Sequence, residues 1–193
     1  MLNTKAQASS LNSLFYSLRC KIIGCLLLLL IGFPLKANDN TIQDHDLKAV
    51  YLFRFAFLTT WGEFTPTNKQ FNFCSAAELD TSHTLQALIE KKSAQARFTP
   101  YSSVKELEKE NCHIIYLSTH SPSVIKQFKI TQPHALLIGD GKSFIKSGGM
   151  IAFIKVNNRI KPLISLNNIK PTGLSLRSQL LSVSEITTNE DKL

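Results

Sequence analysis

Cys112-His113-Ile114-Ile115-Tyr116-Leu117 and, further on, His134-Ala135-Leu136-Leu137-Ile138 decide the architecture. Both are near-continuous apolar runs of strand length, the pattern of strands covered on both faces. Between them Ser121-Pro122 opens a helix, with Ser121 as its cap and Pro122 at the first helical position, where the missing N–H costs nothing. A buried strand, a helix and a second buried strand make a right-handed crossover in a parallel sheet.

The same alternation extends outward. Upstream, residues 44–58 predict a helix that Asp44 or Asp46 can cap, with Leu47, Val50, Tyr51, Phe53, Ala56, Phe57 and Leu58 covering most of its circumference. A helix apolar nearly all round has to be buried on more than one side. Next come a short strand, Phe71-Asn72-Phe73-Cys74, and an amphipathic helix over 82–92 with Leu85, Leu88 and Ile89 inward. Arg97-Phe98-Thr99-Pro100-Tyr101 reads as an edge strand, because Pro100 has no N–H for a central ladder. A short charged helix over 104–110 follows. Downstream, a turn at Gly148-Gly149 leads into two runs, 150–156 and 159–166, joined by Asn157-Asn158. Asn tolerates positive φ, so this is a hairpin. Residues 173–184, with Leu174, Leu176, Leu180, Leu181 and Val183, predict a closing helix. The fold class is α/β: a three-layer sandwich on a mostly parallel sheet, with the C-terminal antiparallel hairpin at its edge.

Composition agrees. The chain has 193 residues, 44% of them hydrophobic, with 22 Lys+Arg against 14 Asp+Glu and only 4 Cys. That excludes a large multidomain enzyme, disorder, collagen and a disulfide-dense miniprotein. Arg19 and Lys21 precede an apolar run over 22–33, then Pro34, with a small residue at Ala37. This is the order of a secretory signal peptide over 1–37, and the run falls short of the ~20 apolar residues of a spanning helix. A retained anchor is the alternative. Processing leaves one domain over 38–193, not itself membrane-spanning. It also removes Lys5, Arg19, Lys21 and Lys36 and no acidic residue, halving the formal net charge of +8. The remaining excess is spread along the chain rather than gathered on one face, which argues against nucleic acid.

Cys74 and Cys112 remain after export. In an oxidising compartment an even pair is expected to close as a disulfide, the alternative being two buried thiols. Flavodoxin-like strand order would set them on neighbouring strands. The search for chemistry finds little else: no phosphate-cradling glycine loop, no paired-His zinc helix and no nucleophile elbow. The five histidines share no metal-ligand spacing, so no metal, cofactor or catalytic residue is assigned. Ser118, His120 and Asp140 follow strand ends, where α/β ligand sites form. Helix capping and loop exposure explain the same residues.

Several segments together resemble the YfiR-like family. Lys48-Ala49-Val50-Tyr51-Leu52-Phe53-Arg54-Phe55-Ala56-Phe57-Leu58 with Trp61 resembles its opening helix. Phe71-Asn72-Phe73-Cys74 and Cys112-His113-Ile114-Ile115-Tyr116-Leu117-Ser118 resemble two of its strands. Leu136-Leu137-Ile138-Gly139-Asp140 with Phe144, then Gly148-Gly149-Met150-Ile151-Ala152-Phe153, resembles its next stretch, and Arg159 with 173–181 its last strand and helix. Two departures stand out: Pro162, Leu163, Ile164 and Ser165 occupy the family's F-E-[IV]-N positions, and no second cysteine pair is present.

The resemblance implies a periplasmic regulator, not an enzyme. It would bind and repress the periplasmic part of an inner-membrane GGDEF diguanylate cyclase, controlling cyclic-di-GMP and biofilm formation, and would form a homodimer. Tyr51, Phe53, Phe57 and Trp61 are the candidate partner or dimer contacts, and Cys74–Cys112 the structural bond through which redox state could act. The alternative is a periplasmic small-molecule-binding module using the crevice near Ser118, His120 and Asp140. A weak hydrolase using His120 or Asp140 is a third reading.

Overall fold

The computed structural model describes residues 43–188 apart from residue 108; the segment expected to direct export, residues 1–37, lies outside them. In chain order the elements are α1 (Asp44–Leu58), β1 (Thr59–Thr60), β2 (Phe71–Ala76), α2 (Asp80–Glu90), β3 (Ala96–Tyr101), β4 (Ile114–Tyr116), α3 (Pro122–Thr131), β5 (Leu136–Asp140), α4 (Gly141–Lys146), β6 (Ile151–Val156), β7 (Arg159–Ser165), α5 (Leu166–Ile169), β8 (Ser175–Leu176), α6 (Ser178–Leu181) and β9 (Glu185–Thr187). The two apolar runs become β4 and β5, parallel neighbours with Ile114 opposite Leu136 and Tyr116 opposite Ile138. The main sheet runs β3-β2-β4-β5-β6-β7-β9. All its pairs are parallel except β6 with β7. The expected α/β architecture is therefore the one observed, with β9 added outside the hairpin. Pro100 sits in β3, which pairs only with β2. The hairpin turns at Asn157 and Asn158, with φ of 49° and 59°.

Side chains alternate across the sheet and meet helices on both faces. On one face Phe53 of α1 stacks on Phe73 at 5.8 Å and Phe55 on Phe153 at 6.0 Å. Ser82 of α2 hydrogen bonds Ser75 of β2 through their hydroxyls at 2.6 Å. On the other face Phe128 of α3 meets Tyr101 edge-on, and Phe144 of α4 fills a slot with glycine on two sides. A Cβ at Gly139 would lie 2.5 Å from that ring and one at Gly149 only 2.1 Å from it, so any side chain at either position would displace Phe144.

Four local expectations give way in the folded chain. Asp44 and Asp46 do not cap α1; Asp44 pairs with Lys155 of the hairpin at 2.9 Å, and Asp46 accepts from Thr84 of α2 at 3.2 Å. α2 begins at Asp80, ahead of the expected start, because Ser82 is drawn inside the helix by its bonds to Ser75 and to the Ala76 carbonyl. The closing helix over 173–184 is a single turn, α6. Gly173 has φ of 76°, and Ser175 and Leu176 pair as a strand with Thr60 and Thr59. Leu174 and Leu176 alternate, a strand-like spacing inside what otherwise reads as a helix. The 104–110 segment likewise shortens to a 3-10 turn over Val104–Leu107.

Cys74 of β2 and Cys112, just ahead of β4, form a disulfide with Cα atoms 5.9 Å apart. Gln132 holds the same corner from the α3 side: its amide donates to the Leu107 and Glu110 carbonyls at 3.0 and 2.7 Å and accepts from the Cys112 N–H at 3.3 Å. The bond closes a separation of 38 residues, for which loop entropy alone gives about 4 kcal/mol. Urea unfolding of the Cys74→Ser/Cys112→Ser protein should show a loss of that order; an unchanged midpoint would mean that the fold's packing alone sets the stability.

Candidate functional site

Ala49, Leu52, Phe55 and Ala56 turn one stripe of α1 into the core. Tyr51, Phe53, Phe57 and Leu58 flank that stripe and remain half-buried. Their inner edges are held: Phe57 meets Phe71 edge-on at 5.2 Å, and Tyr51 lies 6.1 Å from Phe153. Their outer edges, with Arg54 of α1 and Gln179, Leu180 and Val183 of the C-terminal segment, line an apolar groove of about 420 Å³. The C-terminal wall is fixed by the β1–β8 pair and by the Arg177 N–H, which donates to the Leu58 carbonyl at 2.9 Å. Val183 remains 49% exposed, so the groove opens to solvent on an apolar lip.

The structure thus brings Tyr51, Phe53 and Phe57 together on one surface and separates Trp61 from them. Trp61 is buried, its indole N–H donating to the Ala56 carbonyl at 2.7 Å and its ring packed on Phe71 and His113. It anchors the end of α1 in the core. Sequence reasoning missed the groove's other wall, because Gln179, Leu180 and Val183 look like one face of a longer helix.

The strand-end residues have separate surroundings. Ser118 and His120 are exposed, and His120 stands edge-on to Phe144 at 6.4 Å. Asp140 is half-buried and engaged: Lys48 of α1 reaches its Oδ1 at 2.6 Å, and the Tyr116 hydroxyl donates to its Oδ2 at 2.5 Å. Burial and the adjacent Asp140 carboxylate raise the Tyr116 phenol well above its ordinary range. Asp140 thereby ties α1 to the ends of β4 and β5 and does not cap α4 by its side chain. Ser121 similarly gives α3 no side-chain cap, while Pro122 takes the first-turn position. Ser118, His120 and Asp140 are not among the residues that line the α1 groove. Among the described residues no three His, Cys, Asp or Glu side chains gather to hold a metal, and no helix is long and apolar enough to cross a membrane.

His113 lies between the disulfide and Trp61. Its Nδ1 accepts the Asn72 backbone N–H at 3.1 Å, and the His113 backbone N–H donates to the Asn72 carbonyl at 2.9 Å. Protonating Nδ1 would remove that acceptor. Burial, and then the nearby Arg97, lower its pKa below the ordinary histidine value. In the unfolded chain His113 takes up its proton near pH ~6.5; the folded protein does so only at lower pH. Stability should therefore fall as pH drops below that value. Urea unfolding between pH 7.5 and 5 should show a shallower loss for His113→Asn, whose amide oxygen can replace Nδ1 as acceptor; equal slopes would assign the acid sensitivity elsewhere.

Comparison with known proteins places these features in a family. No curated protein matches the chain. Solved structures that resemble it include the ABC domain from Streptococcus pneumoniae in complex with L-Trp, at 10% identity and a TM-score of 0.48 over 75% of this chain and 60% of that one. Another is a conserved domain protein from Vibrio cholerae O1 biovar El Tor str. N16961, at 9% identity and a TM-score of 0.49 over 74% and 60%. The chain thus spans about 60% of the length of each of these structures. The profile of the YfiR/HmsC-like family (DUF4154) matches residues 45–185, from the first turn of α1 to the start of β9, and the chain belongs to that family.

Proposed function

We propose that this protein is an exported regulator that binds the periplasmic part of an inner-membrane GGDEF diguanylate cyclase and holds it inactive, so lowering cyclic-di-GMP and biofilm formation. The observation that carries the reading is the apolar groove along α1, in a chain of the YfiR/HmsC-like family. A repressor needs a surface that favours the off state of its target, since a ligand shifts an equilibrium only by its differential affinity for the two states. Half-buried aromatics with fixed inner edges suit that task, because little side-chain freedom is lost when a partner covers them. The Cys74–Cys112 bond suits an oxidising compartment such as the periplasm.

Deleting the gene from its native strain should raise cellular cyclic-di-GMP, and the wild-type copy should restore it. A Val183→Glu copy places a charge on the exposed lip of the groove and should fold with unchanged melting temperature yet fail to restore repression. Unchanged cyclic-di-GMP in the deletion strain would end the proposal.

A further inference from the structure

Among the described residues, Arg54 is the only charged side chain lining the α1 groove. It is exposed, and no carboxylate lies within ion-pair reach of it among the described residues. The neighbours that a helix brings to its side, three and four residues away, are Val50, Tyr51, Phe57 and Leu58. None of them carries a charge. Three exposed cations elsewhere are paired, Lys155 with Asp44, Lys161 with Glu185 and Arg97 with Glu110, and none of those acids borders the groove. Along α1, Val50 is 39% exposed and extends the apolar surface past Arg54 towards the start of the helix.

We infer that this groove seats a partner helix that is apolar along one face and carries a carboxylate opposite Arg54. The inference rests on the regulatory reading above and supplies the chemistry of the partner. Apolar contact with Tyr51, Phe57 and Val183 provides the burial, and the guanidinium fixes register and rejects a basic partner. A charge at an otherwise greasy contact discriminates by repulsion more strongly than it attracts. The same charge argues against a second copy of this chain. A two-fold pairing through the groove presents the same patch from both sides, so Arg54 would approach its own copy with no acid in the lining to meet it.

Two synthetic helical peptides test this, identical in a leucine-rich face and differing at one central position, glutamate in one and lysine in the other. The purified protein should bind the glutamate peptide at least about tenfold more tightly at low salt, and added salt should narrow the gap as the charges are screened. Arg54→Glu should reverse the preference, and Val183→Glu should weaken both peptides. Equal affinities for the wild type, or a preference unmoved by Arg54→Glu, would overturn the inference. So would a dimer in sedimentation equilibrium that Val183→Glu dissolves. The peptides read the groove without reference to any cyclase. If they discriminate as expected while an Arg54→Glu strain keeps normal cyclic-di-GMP, the groove chemistry stands and its assignment to the cyclase falls.

Discussion

A helix can press only one stripe of its circumference against a sheet, and α1 has more apolar circumference than one stripe. Its small and large core residues, Ala49, Leu52, Phe55 and Ala56, use up the available face. Phe53 and Phe57 reach the sheet from the margins, on Phe73 and Phe71. What remains cannot be covered by β2 or α2, and the short C-terminal elements cover only part of it. The groove is thus the residue of a packing problem that this chain leaves open. Filling it with a bulkier C-terminal segment would bury more apolar area at roughly 25 cal/mol per Å² but would abolish the surface.

The rest of the fold is arranged to hold that helix still. Lys48 and Asp140 fasten its first half to the strand ends, where Tyr116 completes the contact. Asp44 reaches the hairpin through Lys155. Trp61 locks its far end against Phe71 and His113. The disulfide and Gln132 then fix the chain just ahead of β4, which holds His113 and the strand that follows it in place. Exposed ion pairs such as Asp44–Lys155 add little stability individually; their value here is in setting the direction of α1.

Much of this was legible in the sequence wherever a single physical constraint decides the structure. Doubly covered strands demand apolar runs, so β4 and β5 stood out. Pro100 could sit only at an edge, and Asn157-Asn158 could make the tight turn. The α1 boundaries, Asp44–Leu58, follow from an apolar pattern too long to be anything else. Legibility failed where two constraints compete. Leu174, Leu176, Leu180 and Leu181 are good helix formers, but the open backbone edge at Thr59 and Thr60 captures Ser175 and Leu176 as a strand. Asp44, Asp46 and Asp140 are good caps by type, yet each has a cation or a hydroxyl within reach that only the folded chain supplies. The groove could not be read for the same reason, since its second wall exists only after that competition is settled.

The two walls of the groove are unequal, and that inequality bears on how a regulator of this kind would work. The α1 wall belongs to the main core and moves only with it. The opposite wall is a single turn, α6, held by the buried Leu180, a two-residue ladder and the Arg177–Leu58 bond. A single turn anchored by one fully buried side chain, Leu180, opens at lower free energy than core strands. A partner that docks must therefore order the weaker wall as well as cover the stronger one, and the ordering entropy is subtracted from its affinity. In the complex proposed above, that subtraction would favour release: a modest change in the partner's own conformation would tip the balance more readily than for a rigid slot filled on all sides.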